Sequence, residues 1–294
     1  RIDYTKKETI VNIDLLNTVT ATDMDSMFYK TGTMAMEKLD LGSKFDTSNV
    51  TNMENMFNST GYNAMKEFDL GDKFDTSKVT DMSYMFYSTG SYGMTSLDLG
   101  SKFNTSEVRS MNMMFSGTGN MDMTSLNLGN NFDTSKVTNM NAMFQNTGNK
   151  MTSLDLGDKF YTSKVTDMNN MFNGTGRGSM TSLDLGPAFT TIASTNTNMF
   201  QDTGKSGSLV VYAPESIYSN KTNFKLNTNS STTVALSTGT INAKYRIEWQ
   251  KEAATVNTTN KSISITLRAT TNPEVDSSEY TSDVTGSLAV GNIK

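Results

Sequence analysis

The sequence predicts an α/β solenoid: a right-handed stack of about seven 28- to 29-residue coils, each with a short parallel strand and a short helix, followed by a small all-β module. Three observations predict it. A Met-Phe pair recurs at Met27-Phe28, Met56-Phe57, Met85-Phe86, Met114-Phe115, Met143-Phe144, Met171-Phe172 and Met199-Phe200, with a period of 29 residues and then 28 for the last two steps. A Leu-Asp-Leu-Gly motif recurs in phase with it, giving the period of two of a short strand. Between the two, apolar residues at i, i+3, i+6 and i+7 read as one face of a short helix.

The elements follow in chain order. Residues 1–20 match the repeat poorly, although Ile10 to Leu15 alternate like a strand, and they read as an N-terminal cap over the first coil's apolar interior. Residues 21–213 are the solenoid. Its helix is expected at Val50/Met53/Met56/Phe57 and again at Val79/Met82/Met85/Phe86, Val108/Met111/Met114/Phe115, Val137/Met140/Met143/Phe144 and Val165/Met168/Met171/Phe172. Asp46-Thr47-Ser48 and its equivalents are placed to cap the first turn, and Thr60-Gly61, Thr89-Gly90, Thr118-Gly119, Thr147-Gly148 and Thr175-Gly176 to close the last. The strand is expected at Leu39-Asp40-Leu41 and its repeats, with both apolar chains inward and the acid outward. Phe45, Phe74, Phe103, Phe132, Phe160 and Phe189 then plug the core between sheet and helix. The thirteen methionines of the Met-x-x-Met-Phe columns recur in phase with the core and are expected to pack there. Residues 214–240 read as a C-terminal cap and 241–294 as a β-module, possessing strand patterns at Tyr245 to Trp249, Ser262 to Leu267 and Ser287 to Val290 that suit the start of an immunoglobulin-like domain.

Composition narrows the chemistry. The chain contains neither cysteine nor histidine, which removes disulfides, thiolate metal sites, Cys nucleophiles and the usual general base. No catalytic residue, cofactor or metal site is therefore nominated, and an enzyme is not expected. A net charge of -5 without a Lys/Arg cluster argues against nucleic acid. No apolar run is long enough for a membrane span. The sequence opens at Arg1 without a charged-then-apolar leader, which decides nothing about secretion.

The combination LDLG-x-x-F-D-T-S-x-V-T-x-M-x-x-M-F resembles the repeat of the BspA-like leucine-rich repeat proteins of bacterial surfaces, a repeat also found in wall-anchored proteins and lipoproteins of Gram-positive bacteria and mycoplasmas. It covers about two thirds of the chain. The resemblance implies a leucine-rich-repeat-like coil, a secreted protein held at the bacterial cell surface, and adhesion to a host matrix or cell-surface protein or to another bacterium. Two departures stand out: the family's cysteine after Met-Phe is replaced by the Thr of Thr-Gly, and the repeats are slightly longer.

Two surfaces are candidate ligand sites. The column Asp40, Asp69, Asp98, Asn127, Asp155, Asp184 is expected on the outer face of the sheet, where like charges in register invite a cation or a basic partner; no carboxylate loop resembles a calcium motif, so against a cation the preferred reading is a habitual residue bonded to its neighbours, and a protein ligand stays open. Tyr29, Tyr62, Tyr87 and Tyr92 are expected along one loop edge, where clustered tyrosines make good contact residues. The function expected from these readings is non-catalytic adhesion by a monomer to a host or bacterial surface protein. The alternatives are a structural spacer presenting another domain and a carbohydrate-binding surface that uses the tyrosines.

Overall fold

The computed structural model describes residues 18–205 and 208–218, together with the strands β1 (Val11–Asn12), β9 (Ala235–Thr238), β10 (Glu248–Asn257) and β11 (Ser262–Thr270). The chain divides into two compact units, Arg1–Thr240 and Ile241–Lys294. The first is a β-solenoid of about six turns. Its repeated strands are three residues long: β2 (Lys38–Asp40), β3 (Glu67–Asp69), β4 (Ser96–Asp98), β5 (Ser125–Asn127), β6 (Ser153–Asp155) and β7 (Ser182–Asp184). They pair in parallel as β1-β2-β3, β4-β5 and β6-β7-β8-β9, where β8 is Val210–Ala213. The register matches equivalent residues of successive coils, Leu39 with Phe68 and Leu154 with Leu183. The second unit shows an antiparallel pair, β10-β11, with a register shift at Lys251/Ala253. The expected strand at Ser287 to Val290 lies outside the described residues.

The helix expected in every coil does not form. Among the described residues the one α-helix is the single turn α1 (Glu215–Tyr218), so the fold is not the helix-backed, leucine-rich-repeat-like α/β solenoid of seven coils that the spacing predicts. Val50 to Thr60 instead runs as consecutive turns stacked on those of the next coil. The amides of Met53, Asn55, Phe57 and Ser59 donate to the carbonyls of Asp81, Ser83, Met85 and Tyr87 one coil on, at 3.1, 2.9, 2.9 and 2.7 Å. The intervening amides of Met56, Asn58 and Thr60 donate three residues back, to Met53, Asn55 and Phe57. A helix needs every amide for its own i−4 carbonyl; here every second one is committed to a neighbour. An eight-residue helix rich in Asn, Ser and Thr is marginal on its own. The ladder satisfies the same donors by stacking, at the cost of left-handed backbone at Asn55 (φ 56°) and Ser59 (φ 58°) and their equivalents. A parallel bridge through Asp23, Asn52, Asp81, Ser110, Asn139, Asp167 and Thr195 marks the start of this second, unbroken ladder.

The core lies between the sheet and the turn array. Phe28, Phe57, Phe86, Phe115, Phe144, Phe172 and Phe200 form one continuous stack, with centroid spacings of 5.3–5.6 Å and interplanar angles of 14° or less. A second phenylalanine column stacks in two runs, Phe74 on Phe103 and Phe132 on Phe160 on Phe189, at 6.2–6.3 Å. The Met-x-x-Met columns pack between coils, and a third column unmarked by the sequence reading (Met36, Met65, Met94, Met123, Met151 and Met180) is equally buried. The threonine before each glycine does not end a helix. Its buried hydroxyl donates to the carbonyl of a Phe one coil back, Thr60 to Phe28, Thr89 to Phe57 and Thr118 to Phe86, at 2.6–2.7 Å. The hydroxyl adds a second hydrogen bond to a Phe carbonyl that already accepts the amide three residues on, as Phe28 does from Thr31 and Phe57 from Thr60, and so ties one coil to the next. Gly61 at φ +57° follows because a Cβ there would sit 2.4 Å from the Met65 Cβ.

The residues expected to cap the helix link coils instead. Asp46 Oδ1 accepts the Ser48 amide, and the Thr47 hydroxyl both donates to the Asp75 carbonyl and accepts the Asp75 amide, each at 2.7 Å. The Ser48 hydrogen bonds hold the Asp46 carboxyl below its ordinary pKa.

Candidate functional site

The aspartate column occupies the outer sheet position, one residue per strand. Asp69, Asp98, Asn127 and Asp155 are exposed, Asp40 is half-buried, and Asp184, opposite Tyr212 of β8, is buried. Each carries the same local job. Its Oδ1 accepts the amide of the glycine two residues on, Gly42, Gly71, Gly100, Gly129, Gly157 and Gly186, at 2.8–3.0 Å. These side-chain-to-backbone bonds hold the strand-ending turn. Neighbours relieve the like-charge register further: Lys38 lies 3.7 Å from Asp40 and 3.3 Å from Glu67, and the Asn127 amide donates to Asp98 at 3.2 Å. The Glu67 hydrogen bond and charge raise the Lys38 pKa. Among the described residues no group of three or more acids is placed to hold a metal ion.

The tyrosines come together elsewhere, where the turn array runs into the loop before the next strand. Tyr62 and Tyr92 meet edge to face with centroids 5.4 Å apart, and Tyr84 and Tyr87 pack at 5.9 Å. Burial raises the Tyr62 phenol above its ordinary pKa, and Tyr92 and Tyr87 add to that shift, which places all three within electrostatic reach of one another. Tyr29 is exposed in the first coil, with the Lys30 ammonium 4.9 Å above its ring.

Backbone register extends this edge. Asn63 donates its amide to Thr33, Tyr92 to Tyr62 and Met121 to Ser91, so residues 34, 63, 92 and 121 stand in one column of successive coils. Three of its members, Met34, Tyr92 and Met121, are exposed large hydrophobics. Counting back from each strand aligns these loops, so the sequence alone can place Met34 and Met121 on this edge. In later coils the same loops carry Asn149, Lys150, Arg177 and Gly178. Lys150 pairs with Asp122 at 2.7 Å, a contact that leads the causes of the lowered Asp122 carboxyl pKa. Chemically, the edge offers flat amphipathic rings and thioethers set on the inter-coil ladder.

Glu54 is the other perturbed group on the turn array. Burial raises its carboxyl pKa, and the charges of Asp81 and Asp25 add to this.

No helix among the described residues is long and apolar enough to cross a membrane. No curated protein and no solved structure matches the chain. One family profile matches it three times in overlapping stretches, residues 3–121, 59–183 and 119–232, which together take in most of the sequence and cover the whole turn ladder. The chain therefore belongs to the repeat-containing family described as "Mycoplasma protein of unknown function, DUF285".

Proposed function

We propose that this chain is a non-catalytic recognition module of a bacterial cell-surface protein, an adhesin that binds a host matrix or cell-surface protein through its solenoid. The observation that carries the reading is the gathering of exposed Met34, Tyr92 and Met121 with half-buried Tyr62 and Tyr87 on one edge of an otherwise uniform stack. A repeat protein that served only as a scaffold would have no reason to break its own repeat there, and tyrosine-rich patches suit protein contacts. The aspartate column is the weaker candidate, because every member already serves its own turn. Kinship with BspA-like surface proteins belongs to the same reading and is supported by the shared LDLG and Met-x-x-Met-Phe residues. A spacer role is favoured by a different observation, the near-identity of the interior columns from coil to coil.

The test is binding of the purified chain to arrayed matrix proteins, mucins and glycans at two salt concentrations. The reading expects a saturable protein partner whose binding survives high salt. Binding abolished by salt, and by changing Asp69, Asp98 and Asp155 together to Asn, would move the site to the sheet. A hit on glycans alone would make the tyrosines a carbohydrate site, and no hit at all would leave the spacer.

A further inference from the structure

The chain holds 22 methionines, and their exposure divides them sharply. Those of the interior columns are dry: Met53, Met82, Met111, Met140 and Met168 are 0% exposed, as are Met65, Met94, Met123, Met151 and Met180. Among the described residues Met27, Met34 and Met121 are the exposed ones, at 39%, 64% and 42%, and Met113 is half-buried. Met27 belongs to the Met-Phe column, but Met34 and Met121 share the edge column with Tyr92. The Asn63 side-chain amide donates to the Met34 sulfur at 3.3 Å.

We propose that Met34 and Met121 are a reversible oxidation site on the tyrosine edge, with a hydroperoxide as the oxidant. In the step, a sulfur lone pair attacks one peroxide oxygen. The S–O bond forms as the O–O bond breaks, sulfur gives up two electrons, and the hydrogen of the transferred oxygen passes through solvent to the departing oxygen, which leaves as water when the oxidant is hydrogen peroxide. The reaction needs a peroxide molecule at the sulfur, which solvent exposure permits at these two positions and close packing forbids in the columns. The product is a polar sulfoxide. At Met34 its oxygen finds a donor already present, since the Asn63 amide is a weak match for a thioether and a strong one for S=O. In the interior the amides are held by the inter-coil ladder, so a sulfoxide there would be buried without a donor. Oxidation thus turns an apolar stripe polar while the stack beneath stays closed. The effect on ligand binding rests on the recognition role proposed above; the site itself does not.

The experiment titrates the full chain with hydrogen peroxide and follows it by peptide-mapping mass spectrometry and by NMR of 13C-labelled methionine methyls. Met34, Met121 and Met27 are expected to gain one oxygen each at least about tenfold faster than the column methionines. The melting transition should be unchanged, and a methionine sulfoxide reductase should restore the original spectrum. Column methionines oxidising at the same rate, or Met34 and Met121 staying thioethers while Met27 reacts, would overturn the proposal. A Met34→Leu/Met121→Leu variant carries the second half of the test on the matrix-protein array. Peroxide should weaken binding by the parent chain and leave the Leu variant unaffected. Equal loss in both, or retention in both, would refute the edge as the point of control. Absence of any binding by the unoxidised parent would defeat the recognition reading alone, with the mass spectra still deciding the oxidation site.

Discussion

The third coil and the sixth are nearly interchangeable on the inside and unlike on the outside. Phe86 and Phe172 occupy the same ring stack, Met82 and Met168 the same methionine column, and Thr89 and Thr175 donate the same hydroxyl bond to a Phe one coil back. Across the outer turn array, however, the third coil presents Tyr84 and Tyr87 where the sixth carries Asn170 and Asn173. The interior repeats because each coil must fit the one above and the one below. The exterior is free of that demand, so a contiguous departure from the repeat there reflects something outside the stack. The comparison teaches where to look for function in such a chain: at the positions whose column is not uniform.

The largest effect should come from breaking the uniform half of the comparison. Phe115→Ala removes a ring sandwiched between Phe86 and Phe144 in mid-stack and should cost about 3–5 kcal/mol in denaturant unfolding. Because coils are stabilised by their neighbours, the variant should also unfold less cooperatively than one altered at the terminal ring Phe200. Thr118→Val keeps the shape and removes only the buried hydroxyl bond to Phe86, an expected loss of about 1–2 kcal/mol. Thr118→Ser, which restores the donor, should recover part of it.

The non-uniform half is tested by binding. Tyr62→Ala and Tyr92→Ala should each weaken the array partner by about 1–2 kcal/mol, whereas Asn149→Ala, in the same loop of a later coil, should be near neutral. Equal losses on both halves would erase the distinction between them.

The smallest effect is a pH dependence. Burial and the charges of Asp81 and Asp25 raise the folded-state pKa of Glu54 above 4.5, so the folded chain binds the extra proton more readily than the unfolded one. Its linkage term therefore weakens folding as pH rises from about the unfolded value through the raised one. Glu54→Gln should flatten the pH dependence of the melting temperature in that window and leave the second half's behaviour untouched. A slope unchanged by the substitution would remove Glu54 as its source.

Much of this was legible from residue spacing. The period, a short parallel strand in each coil (expected from Leu39, formed one residue earlier over Lys38–Asp40), the inward Leu, and the phenylalanine and methionine columns follow from periodicity, because a residue that must meet its own copy one coil away cannot drift in position. The turn array was misread as a helix for a physical reason. Apolar residues at i, i+3, i+6 and i+7 fit one helical face nearly as well as a run of three-residue turns, and local sequence carries no record of which carbonyl an amide will choose. One signal did favour turns: the column of Lys30, Ser59, Ser88, Gly117, Asn146, Gly174 and Asp202, several of them residues tolerant of the left-handed region that all seven adopt.

By itself, then, the sequence determined that this protein is a stack of coils with a shared dry interior, since repetition at a fixed period has no other economical solution. Only the tertiary structure decided what each coil is made of. The choice between an amide bonding its own coil and bonding the next depends on a neighbour that is distant along the chain and adjacent in space. The same holds for the tyrosine edge: Tyr62 and Tyr92 are thirty residues apart in the chain. The inter-coil register brings their rings to 5.4 Å and lines up Met34 and Met121 beside them.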